Sequence, residues 1–326
     1  MSGFCDSRVR HRIGASFGYS LIELMIATGI LTVVCGTVLS GILQLTRVAD
    51  TVANRSEMHS GVRNATEFLQ QEVGQAGHLG MPSGKSLGTA VAAGNATVTI
   101  LPNTTGMFVG QRVVVGPGVT GVAGFAEEPV TITAVNSATQ ITAVFTKDHA
   151  LNAPILSYGG FRDGIVPSNV PNGSTSSLMK IYGDLRANGT LQYAEYWCDT
   201  AGGNLSRRAI DIPAPNAAAA VKPAWTVSHV LLNNVTANPA DADGTVPPCF
   251  TYQQKSINGA TFVVNVAVTL TVQTEDKDPI TGAVQTETKA LLNVSPRNVF
   301  NVWQLVSQDL TDYSQPMPAH VAALLP

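Results

Sequence analysis

The chain has 326 residues, only 13% of them charged, with 19 Lys and Arg against 22 Asp and Glu and a net charge of −3. No basic run or patch stands out, so composition gives no argument for nucleic-acid binding. The length allows a membrane helix plus one large or two small exported domains.

The first residues form a short polar leader carrying Arg8, Arg10 and Arg12, followed by Gly18-Tyr19-Ser20-Leu21-Ile22-Glu23-Leu24. Residues 24–43 then run without a charge. As an α-helix, twenty residues at about 1.5 Å each cover roughly the 30 Å hydrocarbon core of a bilayer. The arginines hold the leader in the cytoplasm by the positive-inside rule, so the chain beyond Leu45 is exported. Glu23 breaks the apolar pattern, and a carboxylate in hydrocarbon costs on the order of a few kcal/mol unless paired. A cut between Gly18 and Tyr19 would place a free α-ammonium one helical turn from Glu23, on the same chain or a neighbour. A secretory signal peptide fits poorly, because no small-x-small cleavage site follows the apolar run. An ordinary signal anchor with an isolated Glu is the plain alternative.

At these residues the chain resembles the type IV pilin superfamily. Gly18, the aromatic Tyr19 (usually Phe in the family), Leu21, Glu23 and the helix after them match its prepilin leader motif. The resemblance implies cleavage after Gly18 by a prepilin peptidase, N-methylation of Tyr19, and a salt bridge from Glu23 to a neighbouring subunit's N-terminus during filament assembly.

Residues 47–77 read as a soluble helix. Val48, Val52, Val62, Ala65, Leu69, Val73 and Ala76 recur mostly at three- and four-residue steps, and Gly74, Gly77, Gly80 and Pro82 end the pattern. With the membrane segment this makes one helix of nearly sixty residues, about 85 Å long. Its amphipathic half needs a partner to cover the stripe. The stretch from Arg63 to Gly77 is similar to the helix end of PilW-like minor pilins and J-type minor pseudopilins, in which an Arg-x-Ala-x-x-x-Leu pattern leads to Ala-Gly. Glu72 corresponds to the acidic residue often found before the final turn.

Residues 94–158 read as a compact all-β segment, with β-branched runs at 96–101, 111–115, 130–135 and 140–145 separated by Gly-, Pro- and Asn-rich turns. Parts of it resemble small β-modules inserted in bacterial and phage surface proteins. Residues 177–299 read as the pilin-type head. They contain a hairpin from 178–182 and 190–197, strands at 225–235 and 249–253, and a strand at 261–273 that places Phe262, Val264, Val266, Val268, Leu270 and Val272 on one face. Residues 283–294 return antiparallel. The Tyr-x-x-Tyr-Trp-Cys stretch at 193–198, the later Leu-x-Arg at 205–207 and the Arg297-Asn298 ending also resemble the PilW-like pattern. Residues after Leu310 read as loose.

Of four cysteines, Cys5 lies in the leader and Cys35 in the membrane segment. Cys198 and Cys249 are in the exported part, where disulfides persist. A bridge would close a loop of about fifty residues, worth roughly 4 kcal/mol in the chain-entropy model; two separate buried thiols are the alternative. The six histidines show no ligand spacing, and Asp241-Ala242-Asp243-Gly244 and Asp276-Lys277-Asp278 lack the EF-hand spacing and distal Glu, so plain turns are favoured over calcium. Gly84-Lys85-Ser86 imitates the end of a P-loop without its first glycine, where Leu79 stands. No catalytic constellation, metal or cofactor is expected.

The expected fold is α+β, a long N-terminal helix on an antiparallel β-sheet head with an inserted small all-β segment. Its divisions are 1–18 (leader), 19–80 (helix), 81–176 (β-rich insertion), 177–299 (head) and 300–326 (tail). The resemblance implies a minor pilin taking part in type IV pilus assembly, and so supporting adhesion, twitching motility or DNA uptake. Its partners would be other minor and major pilins, the prepilin peptidase and the inner-membrane assembly platform. It would sit in the inner membrane first and in the filament afterwards. The alternatives are a J-type minor pseudopilin of a type II secretion system and a membrane-anchored surface binding module.

Overall fold

Helix α1 spans Leu21–Gln75 and opens the computed structural model, which describes residues 18, 20–82, 84–116, 127–213 and 220–326. Among the described residues the remainder is built mainly of antiparallel sheets, with one short parallel pair and two short α-helices, giving an α+β architecture. Within the apolar run of α1, Thr28 donates its hydroxyl to the Leu24 carbonyl (2.9 Å), Thr32 to Thr28 (2.7 Å) and Thr37 to Val34 (2.9 Å). Each hydroxyl is therefore satisfied inside the helix, as a hydrocarbon surrounding requires. Gly77, with φ +77°, stands just past the helix end. A Cβ there would lie 2.8 Å from the Phe161 carbonyl oxygen, so the position needs both the backbone freedom and the small size of glycine.

The chain divides into two units. The first takes α1 as far as Ala53 together with the turn 278–283. Inside that turn the Gly282 N–H donates to the Asp278 carbonyl (2.7 Å), and Thr51 Oγ1 donates to Asp278 Oδ1 (3.1 Å).

The second unit takes residues 54–277 and 284–326 and holds the sheets. Strands β1 (Ser86–Leu87), β2 (Gly94–Leu101), β3 (Arg112–Val115), β4 (Glu128–Ser137), β5 (Gln140–Phe145) and β6 (Ile155–Ser157) form a six-stranded antiparallel sheet in the order β1-β2-β5-β4-β3-β6. Side chains alternate along it: Glu128, Val130 and Ile132 are buried while Pro129, Thr131 and Thr133 are exposed. Its core, from Leu87 through Ile100, Val113, Ile132 and Ile141 to Ile155, is its own.

After β7 (Gly160–Phe161), strands β8 (Leu178–Gly183), β9 (Gln192–Asp199), β10 (Asn204–Asp211) and β11 (His229–Asn233) make a four-stranded sheet in the order β11-β10-β9-β8. Where the sequence reads one strand over 225–235, the structure has a single turn of 3₁₀ helix at Trp225–Val227 and then β11. Asn234, with φ +57°, ends β11 and separates it from β12 (Val235–Thr236). Strands β12, β13 (Phe250–Ile257) and β15 (Thr286–Val294) all pair with the long β14 (Ala260–Gln273). On the β14 residues that both sides share, β12 and β13 lie along one edge and β15 along the other.

The strict one-face alternation expected for β14 is corrected. Gln253 pairs with Asn265 but Gln254 pairs with Val263, so β14 carries an extra residue at this point. The bulge inverts the parity. Phe262 and Val264 pack with Val299, Val302 and Val306 of α2 (Arg297–Val306), whereas Val263, Val266, Val268, Leu270 and Val272 join the core under α1. Val62, Ala65, Leu69 and Val73 of α1, with Ala76 just past its end, are buried in that core. Val48 and Val52, read as part of the same stripe, are exposed.

The loose tail is corrected too. Strand β16 (Ser314–Gln315) pairs in parallel with β7, and α3 (Ala319–Leu324) buries Val321 and Leu324 against Leu79, Phe161, Tyr182 and Tyr193. Gln315 is fully buried; it accepts from the Arg112 N–H (2.8 Å) and donates to the carbonyls of Arg112 (2.8 Å) and Tyr158. Apolar residues spaced by three at a chain end look like any short apolar run until their contacts are seen.

Candidate functional site

Glu23 lies in the first turn of α1, where the helix dipole favours a carboxylate. It is exposed, and among the described residues it has no ion-pair partner. Around it Leu21, Ile22, Leu24, Met25 and Ile26 are all more than half exposed, as are Ile30, Leu31 and Val33 further along. Among the described residues α1 is the one helix long and apolar enough to cross a membrane. Gly18 is exposed. Tyr19, and with it the bond expected to be cut and the amine expected to be methylated, lies outside the described residues, as do the leader arginines.

The part of α1 from Asn54 on is fastened to its sheet by a charged clamp. Consecutive residues of a strand point to opposite faces, and Arg207 and Arg208 of β10 divide accordingly. Arg207 stands opposite Tyr196 of β9 and reaches α1, where its Nη2 donates to Glu72 Oε1 (2.6 Å) and its Nε to Glu72 Oε2 (2.9 Å). The fork is bidentate and both side chains are buried. The Tyr196 hydroxyl accepts a further bond from Arg207 Nε (3.2 Å), and the guanidinium lies 5.5 Å from the Phe68 ring centroid and 5.9 Å from that of Tyr196. Burial pushes the Glu72 carboxyl above the ordinary range, with the guanidinium pulling the other way. Such a pair holds a fixed register between helix and sheet, because removing one partner strands the other charge.

Arg208 turns to the opposite face. Its Nε donates to Glu195 Oε2 (2.6 Å), and its guanidinium stacks 4.1 Å from the Trp225 ring. Glu195 is fully buried; it also accepts from the Tyr193 hydroxyl (2.6 Å) and from Lys222 Nζ (3.1 Å). Burial alone would raise this carboxyl, but the donors from Tyr193 and Arg208 hold it below the ordinary value. Neither the Glu72–Arg207 nor the Glu195–Arg208 pairing was readable beforehand, although Glu72 and the Leu-x-Arg at 205–207 both stood out. Two adjacent arginines inside a strand, one necessarily facing inward, are the signal that points to a buried acid.

Cys198, at the end of β9, is bonded to Cys249, just before β13, so the disulfide ties the β8–β11 sheet to the β12–β15 sheet. In the six-stranded sheet Glu128 and His149 form a second buried pair, with Nε2 to Oε1 at 2.8 Å. The expected turn at Asp241 is closed by the Gly244 N–H to the Asp241 carbonyl (2.9 Å), and Asp243 Oδ1 accepts the Thr245 N–H (2.9 Å). Among the described residues no three His, Cys, Asp or Glu side chains gather as a metal would need.

No family model matches this chain, and no curated protein matches it.

Proposed function

We propose that the chain is a minor pilin of the PilW-like kind, a structural subunit that takes part in type IV pilus assembly. The observation that carries the reading is the single carboxylate of Glu23 in the first turn of an exposed apolar helix, five residues after Gly18 and behind a leader with three arginines. Such a helix suits a subunit held in the inner membrane and later packed among other helices in a filament. The other half of α1, clamped through Glu72 and Arg207, suits a rigid stalk that carries a β-sheet head. The separate six-stranded sheet favours the pilus over a J-type pseudopilin, whose head is usually smaller. No catalytic role enters this reading. Adhesion, motility and DNA uptake would follow from the assembled filament, with other pilins, the prepilin peptidase and the assembly platform as partners.

N-terminal sequencing or mass spectrometry of protein from sheared filaments tests it. The mature chain is expected to begin at Tyr19 with its amine methylated. A chain that begins at Met1, or beyond residue 40, would overturn the reading.

A further inference from the structure

Among the described residues, strand β15 pairs with β14 along one side only. The other long edge of the same sheet, β13, is covered: the Phe250 N–H donates to the Ser176 carbonyl (3.0 Å), and Tyr252 and Gln254 bond to Thr175 and Ser168. On β15, by contrast, Thr286, Thr288, Lys289, Ala290, Leu292 and Asn293 are exposed, Leu292 by 67%. A nine-residue open edge with exposure on both faces is a template for another strand.

Beneath this edge lies a groove. One depression of about 440 Å³ is lined by His59 and Arg63 of α1 and by Glu287, Lys289 and Leu291 of β15. A second, of about 1060 Å³, continues it past Asn293 to Arg186 and Arg297; Glu67 and Gln70 line both. Of its acids, Glu67 pairs with Arg63 (2.7 Å) and Glu72 with Arg207, and Glu287 lies beside the His59 ring, which offsets its charge only when protonated. Its cations are not all matched. Among the described residues Arg186 is ion-paired with Asp211 alone (3.7 Å), though its charge also reaches Glu72, and Lys289 and Arg297 have no ion-pair partner. The groove therefore carries surplus positive charge along a free strand edge.

We propose that β15 receives an extended, acidic strand from another exported protein, which adds to the sheet edge and lays its carboxylates toward Lys289 and Arg297. Backbone groups of β15 would supply affinity, and the cations would select the partner. The inference uses the head's own residues and goes beyond the filament reading.

The test is site-specific photocrosslinking of the full-length protein in its native cells, with p-benzoyl-phenylalanine at Leu292 or Asn293 and, as a control, at Thr251 on the covered β13 edge. The expected result is one light-dependent adduct from β15 and none from Thr251. Its linked peptide, read by mass spectrometry, should be an acidic segment of a different protein. Combining Lys289→Glu with Arg297→Glu should lower the adduct about tenfold, while the Cys198–Cys249 bond still forms as the sign of a folded head. No adduct from either position, an adduct with a second copy of this chain or with lipid, or an adduct that survives the charge reversal would overturn the proposal.

Discussion

Arg207 and Arg208 are neighbours in sequence and serve opposite faces of one strand. Arg207 meets Glu72 through a buried bidentate fork, so Arg207→Ala leaves an unpaired carboxylate in the core. Breaking a buried pair in this way costs about 3–5 kcal/mol. We expect the denaturant midpoint of the protein, followed by tryptophan fluorescence, to fall accordingly. Replacing both partners, as Glu72→Gln with Arg207→Met, should recover much of the loss because neither charge is then stranded. A single variant that unfolds at the wild-type midpoint would show that the clamp contributes nothing to stability. At this scale the sequence was half legible. Glu72 drew notice by its place before the last turn of the helix, and Cys198 with Cys249 by their compartment. The buried acid facing Arg208 did not, because Glu195 sits in a run of aromatic residues with no local sign that it points inward.

Among the elements, long periodic segments were readable and interruptions of the period were not. The stripe from Val62 to Ala76 and the hairpin of β8 and β9 follow from side-chain spacing alone. The bulge in β14 is a single extra residue, and it moved Phe262 and Val264 to the face covered by α2. Nothing in a run of valines marks where one residue is skipped. The six-stranded sheet has a different pressure point. Glu128, on β4, accepts from the Thr146 N–H (2.9 Å) and from His149, and also from the Lys147 N–H (3.3 Å). Burial alone would raise its carboxyl, but the Thr146 and His149 hydrogen bonds together hold it below the ordinary value. The sign follows from linkage: a depressed acid gives stability that is present above the unfolded value, about 4.3 for Glu, and is lost as pH falls through the folded value. We therefore expect wild type to melt higher than Glu128→Gln at pH 6 and the gap to narrow by pH 3. Scanning calorimetry of both proteins at the two pH values checks this; a gap that stays constant would mean that the charge on Glu128 is not what stabilises the sheet.

At the scale of the whole molecule, the sheets bury several charged pairs of their own, and the start of the N-terminal helix buries none. Buried ion pairs, a disulfide and shared cores hold the second unit together, whereas Glu23 is the one charged residue in 21–46, a stretch whose large apolar side chains are exposed. An isolated carboxylate at a membrane depth is costly, so its retention argues for a partner supplied by assembly. On the filament reading that partner is the α-ammonium created by cleavage before Tyr19, on a neighbouring subunit. In a surrounding of low dielectric the pair attracts far more strongly than in water. Glu23→Ala removes the burial cost of the unassembled subunit together with the attraction, so insertion and processing should persist while recruitment fails. Expressed in cells that lack the native copy, Glu23→Ala is expected in the membrane fraction as processed protein and to be scarce in sheared filaments. Glu23→Asp, which keeps the charge on a shorter arm, should enter filaments at an intermediate level. If Glu23→Ala enters filaments at the wild-type level, the carboxylate is not an assembly contact and α1 is a simple membrane anchor.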